Sequence, residues 1–177
     1  MNPIITLSPW EYERAFAVGV GRFTANWGTA DAPYYDRRRM EEDRNAQPAA
    51  AICELAVAKY TNQYWHGGVW HRTDHGRYKS LADVGSVIEV RRVRTANAVK
   101  VRSKDKGKIV WAARLADDEY RSVELLGFIS ADVVIASLVG TYQDEKYVEL
   151  DTLTPASDWP QLSEGTPREI PSSASSA

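Results

Sequence analysis

The chain is almost devoid of cysteine, with Cys53 alone among 177 residues. An internal disulfide is excluded, and a reducing compartment fits. Cys53 lies in an apolar, Ala-rich stretch, which predicts a small core residue rather than a nucleophile. No apolar run approaches the roughly 18 residues of a membrane span. Met1-Asn2-Pro3-Ile4-Ile5 lacks the basic start and long apolar stretch of a signal peptide. A cytoplasmic protein without membrane contact is expected. There is no Gly-rich phosphate loop of the Walker type and no internal repeat. Excess charge is missing too: the net charge is −2, which excludes a globally basic nucleic-acid coat.

What is present suits a soluble domain. Hydrophobic residues make up 44% and charged residues 26%, both ordinary values. A domain of this size hides roughly 68–70% of its unfolded surface, enough for a real core. Residues 1–153 read as one domain. Residues 154–177 hold four of the eight prolines and six serines, and read as a disordered tail. Without that tail the acids and bases balance, 21 of each.

Ser8-Pro9-Trp10-Glu11 is a helix start, with Ser8 as cap, Pro9 in the first turn and Glu11 closing a capping box. Trp10, Phe16, Val20, Phe23 and Trp27 follow at roughly helical spacing, which predicts a helix over Pro9–Asn26. Gly19 and Gly21 either weaken it or permit a close helix contact. A second helix is predicted from Pro48 to Asn62, its small residues suited to tight packing. From Ser86 the pattern turns to strands at Val87–Val93, Ala98–Ser103, Lys108–Leu115 and Arg121–Ile129. Asn97 and Lys104–Gly107 are turn positions. A short helix at Val133–Leu138 and a last strand at Tyr147–Leu150 complete an α/β (α+β) domain with a mixed, mostly antiparallel sheet of four to five strands.

Charge is unevenly distributed. From Arg91 to Lys108 there are eight bases and one acid, Asp105. Folded as a β-hairpin, this stretch offers either a phosphate-following stripe or a solvated face. Arg91, Arg92, Arg94, Lys100 and Arg102 are its candidate nucleic-acid contacts.

Three acids stand in a suggestive order. Glu54 lies on the second helix, Asp83 opens Asp83-Val84-Gly85, and Glu89 sits two residues before Arg91 on a strand. Side chains two apart on a strand share a face. Mg²⁺ favours hard oxygen ligands and keeps several waters, so a few carboxylates and a substrate phosphate suffice. Glu54, Asp83 and Glu89 are the candidate ligands for Mg²⁺ or Mn²⁺, with the Val90 carbonyl as a further donor and Arg91 holding the phosphate. Arginine stays protonated and is a poor base. Each acid also has a plain reading: a solvent-facing helix residue, a turn aspartate bonding its own backbone, and a cross-strand pair.

The order of helix Glu54, then Asp83, then Glu89-Val90-Arg91 on a strand resembles the PD-(D/E)xK nuclease superfamily. The segments Glu54–Tyr60, Asp83–Gly85, Glu89–Arg91 and Leu125–Ile129 look like a group of small phage-encoded proteins within it. The resemblance spans roughly residues 10–150. It implies a restriction-endonuclease-like fold and Mg²⁺-dependent cleavage of DNA by Glu54, Asp83, Glu89 and Arg91, in the host cytoplasm if the chain is phage-encoded. Ala82 stands where the family has proline, and Arg91 where it has lysine. Lys100 or Arg102, on the next strand, are candidates to replace that lysine. The alternative is a catalytically inactive module on the same fold, binding nucleic acid or a host protein, including an inhibitor of a host defence component. A homo-oligomer is compatible with either.

Two further groups carry weaker signals. His66, His71 and His75 have the spacing of possible Zn²⁺ ligands, but no clear helix to fix them. Trp65 and Trp70 read as core or loop anchors, or as a grip for an unpaired base if they flank the acids. Arg22 reads as a helix-surface residue within reach of a phosphate.

Overall fold

The computed structural model describes residues 1–26, 45–71, 81–138 and 144–160. Strand β1 (Ile4–Thr6) leads into helix α1 (Pro9–Asn26), followed by α2 (Ala46–Thr61). Then come β2 (Ile88–Arg92), β3 (Ala98–Arg102), β4 (Ile109–Leu115), β5 (Ser122–Ser130), α3 (Ala131–Ala136) and β6 (Glu145–Glu149). The chain is mixed α/β, with a four-stranded sheet in the order β1-β5-β4-β2. β2 runs parallel to β4, while β5 is antiparallel to both β4 and β1.

The predicted Arg91–Lys108 hairpin does not form. β3 leaves the main sheet and pairs with β6 in a separate two-stranded sheet. A tight β2–β3 hairpin would force antiparallel pairing of neighbours. Instead β3 crosses over the sheet, so β2 can lie parallel to β4 and form the sheet edge.

α1 begins as its sequence predicts. Glu11 Oε2 accepts the Ser8 N–H at 2.7 Å, and the Glu11 N–H donates to Ser8 Oγ at 3.4 Å. Gly19 serves close approach: a Cβ there would lie 2.2 Å from Pro48 Cα on α2. α2 ends where Asn62 takes a left-handed conformation, φ 51°.

Strand alternation divides the core in two. Ile88, Val90, Trp111, Ala113, Val123 and Leu125 face α2, meeting Ile52, Ala56 and Val57. Val110, Ala112 and Leu126 face the other way, toward Val99, Val101 and Val148 of the small sheet and Val134 of α3. Cys53 is fully buried in the first core, and burial pushes its thiol up to about 12.

The domain extends past the predicted boundary at 153. Thr154 exchanges two backbone hydrogen bonds with Phe128, both 2.9 Å. Trp159 packs edge-on against Trp111 and Phe128. Gly127 admits this segment: its φ is 137°, and a Cβ would lie 2.6 Å from the Thr154 carbonyl oxygen. Aromatic burial therefore overrides a tail-like composition through residue 159. The rest of the predicted tail, residues 161–177, lies outside the described residues.

Candidate functional site

Glu54 is not on a solvent face. It is buried on α2 and clamped by Arg22 of α1, with contacts of 2.6 Å to Oε1 and 2.9 Å to Oε2. Trp65 Nε1–H adds a third donor, 3.0 Å from Oε2. Arg22 Nε–H reaches the Gly68 carbonyl at 2.9 Å, and its guanidinium lies 5.1 Å from the Trp70 ring centre. Arg22 is thus a buried residue, contrary to its surface reading. The small residues of α1 and α2 bring the helices close enough for this fork-to-carboxylate pair.

Glu89 and Arg91 share a face, as two residues apart on a strand must. By register they sit beside Val110 and Ala112 of β4, on the face opposite α2. Arg91 Nη1 meets Glu89 Oε2 at 2.9 Å, and Arg91 Nη2 makes a fork with Asp105, 2.8 and 2.9 Å. Asp105 is fully buried and also accepts the Arg102 N–H at 2.9 Å. Lys108 Nζ bonds Glu89 Oε1 and lies 3.4 Å from the Leu81 carbonyl. Burial alone would raise the Glu89 carboxyl. The hydrogen bond from Lys108 and the charge of Arg91 outweigh it and hold the group below the usual carboxylate range.

Asp83 sits at the sheet edge between these clusters. Its Oδ2 accepts the Val90 N–H at 2.8 Å, tying the turn to β2. Gly85 allows that turn with φ 57°. Burial, and then the negative charges of Glu54 and Glu89, raise the Asp83 carboxyl to about 8. It also lines a cavity of about 240 Å³ together with Arg22, His66 and Trp70.

The three acids therefore do not converge as one cage. Glu54 projects from α2 on one side of β2, Glu89 points to the other, and Asp83 lies between. Among the described residues, no group of three histidine, cysteine or acidic side chains is arranged to hold a metal ion. Donors crowd the acids unequally: three on Glu54, two on Glu89 and one on Asp83 among the described residues. A carboxylate offers about four lone-pair sites, so Asp83 keeps the most acceptor capacity and Glu54 the least.

No protein-family model matches the chain, and no curated protein or solved structure matches it either. Its chemistry must be read from the site itself.

The remaining sequence candidates are dispersed. Lys100 and Arg102 lie on β3 in the small sheet, where both pair with Glu145, at 2.7 and 3.8 Å. The cation that reaches Glu89 in their place is Lys108, at the entrance to β4. Arg92 belongs to the α2 side of β2, within the field of Cys53. Arg94 follows the strand and is exposed. His66 lies 2.8 Å from the Gly85 carbonyl through Nε2, His71 is exposed, and His75 falls outside the described residues. Trp65 is a core residue, as read, while Trp70 is half-buried in the cavity wall.

Sequence reasoning missed Asp105 and Lys108. Asp105 carried a usable signal, since a lone acid among eight bases is a natural counter-ion. Lys108 carried none, because its approach to Glu89 depends on the parallel β2–β4 pairing.

Proposed function

We propose that the chain is a Mg²⁺- or Mn²⁺-dependent nuclease of PD-(D/E)xK type that hydrolyses DNA phosphodiesters, in keeping with a phage-encoded protein. One observation carries this reading: Asp83, a half-buried carboxyl in the cavity wall with no cationic partner within 4 Å among the described residues, lies in the field of two other carboxylates and rises to about 8. A strongly perturbed acid in a cavity wall is a mark of a functional site, and a divalent cation would relieve its repulsion.

The residues fit such an ion through two carboxylates rather than three. Asp83 and Glu89 retain acceptor capacity, and Mg²⁺ is commonly held by one or two carboxylates plus phosphate. Bound there, the ion would polarise the phosphoryl oxygen and supply an activated water. Glu54 acts by holding Arg22 in the cavity wall beside Asp83. Arg91 positions Glu89, since both its terminal nitrogens are committed to Glu89 and Asp105. Lys108, an amine on the carboxylate, takes the place that Arg91 is unsuited to fill.

The test is incubation of plasmid and oligonucleotide DNA with purified protein and Mg²⁺ or Mn²⁺. Nicking or degradation is expected, and Asp83→Asn or Glu89→Gln should abolish it. Cleavage that persists in both variants, or wild-type protein inert with both metals, overturns the reading.

One observation favours the second reading, a module that binds DNA or a host protein without cutting. Glu54 and Glu89 already carry their own cations, Arg22 and Lys108 with Arg91. On that reading calorimetry finds no Mg²⁺ or Mn²⁺ binding, while DNA affinity still falls steeply with salt.

A further inference from the structure

The turn between β3 and β4, Ser103-Lys104-Asp105-Lys106-Gly107-Lys108, is hydrogen-bonded along its length although it is lysine-rich. Asp105 is its anchor, fully buried against Arg91 and the Arg102 N–H. Lys106 N–H donates to the Ser103 carbonyl at 3.3 Å, and Lys108 N–H to the Asp105 carbonyl at 3.0 Å. Gly107, with φ 77°, turns its N–H to Asp132 Oδ1 at 2.9 Å. The Lys108 carbonyl accepts the Ala131 N–H at 2.9 Å, and its amine is on Glu89.

Those anchors fix the backbone yet leave two ammonium groups unused. Lys104 and Lys106 are exposed and make no ion pair or side-chain hydrogen bond among the described residues. Lys104 lies within the field of Glu89, Arg91 and Asp105, beside the candidate site. By contrast, Lys59 and Lys100 are each matched to a glutamate. Asp105 is already neutralised by Arg91, and the one other carboxylate bonded to the turn, Asp132, is outnumbered by the two lysines, so the turn presents net positive charge.

We propose that this turn is a phosphate-binding element, in which Lys104 and Lys106 hold consecutive backbone phosphates of a DNA strand lying across Glu89 and Asp83. A preorganised turn loses little freedom on binding, and a lysine is an effective point-charge contact for phosphate. The ligand class is a nucleic-acid backbone. This inference rests on the nuclease reading only for where the scissile phosphate lies.

Binding is measured without cleavage, by fluorescence anisotropy of labelled single-stranded and duplex oligonucleotides in Ca²⁺, over a series of salt concentrations. The double variant Lys104→Ala/Lys106→Ala should bind more weakly, with the slope of log K against log salt shallower by about 1.4 to 1.8, two contacts at about 0.7–0.9 each. Lys104→Arg/Lys106→Arg should restore the slope. Lys100→Ala, whose ammonium is paired with Glu145 at 2.7 Å, should leave it unchanged. Unaltered binding by the Lys104/Lys106 variant, an equal loss for Lys100→Ala, or no DNA binding by the wild type overturns the proposal. Absence of Mg²⁺-dependent cleavage with these binding results intact strikes the nuclease reading alone. Both lysines are exposed, so a thermal melt suffices to show that the variants fold.

Discussion

Two buried arginine–carboxylate clusters sit on opposite faces of one strand, and they differ in how they end. Arg22–Glu54 is closed. Its carboxylate takes three donors, two from the guanidinium and one from Trp65. Both side chains are less than a tenth exposed. Glu89–Arg91–Asp105–Lys108 is open. It starts at fully buried Asp105, runs through Arg91, and reaches a turn whose next lysines face solvent. A closed pair fixes helix α1 against α2. An open one delivers charge to the surface while its anchor stays in the core. Buried ion pairs are weak evidence for net stability but are strongly coupled to structure once present. What separates the two clusters is where their unused charge emerges, not the pairing itself.

The largest effect should come from opening the closed cluster. Arg22→Ala strands the Glu54 carboxylate in the core, and denaturant unfolding should show a loss of about 3–5 kcal/mol. Lys108→Met removes one of two cations from Glu89 and leaves Arg91 in place. Its loss of stability should be less than half that of Arg22→Ala, yet cleavage should disappear. Comparable destabilisation by the two changes would erase the distinction between a structural and a functional cluster.

Asp83, lying between the clusters, should reveal itself through pH. Its folded carboxyl titrates near 8, above the ordinary 3.8. The folded state therefore holds its proton more tightly than the unfolded chain. The stability this contributes is fully present below pH 3.8 and drains away as pH rises through 8. Melting temperatures should fall across that window, after allowance for other groups, and Asp83→Asn should flatten the decline. If the site takes a divalent cation, Mg²⁺ should also flatten it in the wild type. An identical pH profile for wild type and Asp83→Asn would remove Asp83 from the electrostatic centre.

A steric change should act on the closed side alone. Gly19→Ala puts a methyl 2.2 Å from Pro48 Cα. The helices must part, at a cost of about 1–3 kcal/mol. DNA binding through the Lys104–Lys108 turn should survive, since that turn hangs from β2, β4 and α3. Loss of salt-dependent binding in Gly19→Ala, in protein that still melts cooperatively, would show that the faces are coupled.

The same contrast explains what the sequence disclosed. The start of α1 was legible because Ser8, Pro9 and Glu11 signal locally. The strands around Glu89, Lys108 and Leu125 showed through β-rich composition between polar turns. Strand β1 did not, because three residues, Ile4–Thr6, become a strand only by pairing with Ser122–Glu124. Nor was the route of β3 readable, since its partner β6 lies some forty residues on and nothing local distinguishes crossover from hairpin. The acids were legible as types in an order. Their partners were not: Arg22 reaches Glu54 only because Gly19 admits Pro48, and Lys108 reaches Glu89 only because β2 and β4 run parallel. Alternation placed Glu89 and Arg91 together, and by the same rule it turned Glu89 away from Glu54.

The smallest predicted effect isolates burial within one helix pair. α1 and α2 are joined twice, by Arg22–Glu54 and, nearer the start of α1, by Lys59–Glu11 at 2.8 Å. The second pair is partly exposed, with the Lys59 side chain 42% accessible. Water already solvates that ammonium, so the attraction is screened and the lysine gives up rotamer freedom to make it. Glu11 does not depend on it either, because the Ser8 N–H holds the same Oε2. Lys59→Ala should therefore lower the unfolding free energy by only about 0.2–1 kcal/mol, against the several expected for Arg22→Ala. Raising the ionic strength should shrink the Lys59 effect and leave the Arg22 effect nearly unchanged. If both substitutions respond equally to salt, desolvation is not what makes the Arg22–Glu54 clamp strong, and its assignment as the structural cluster falls with it.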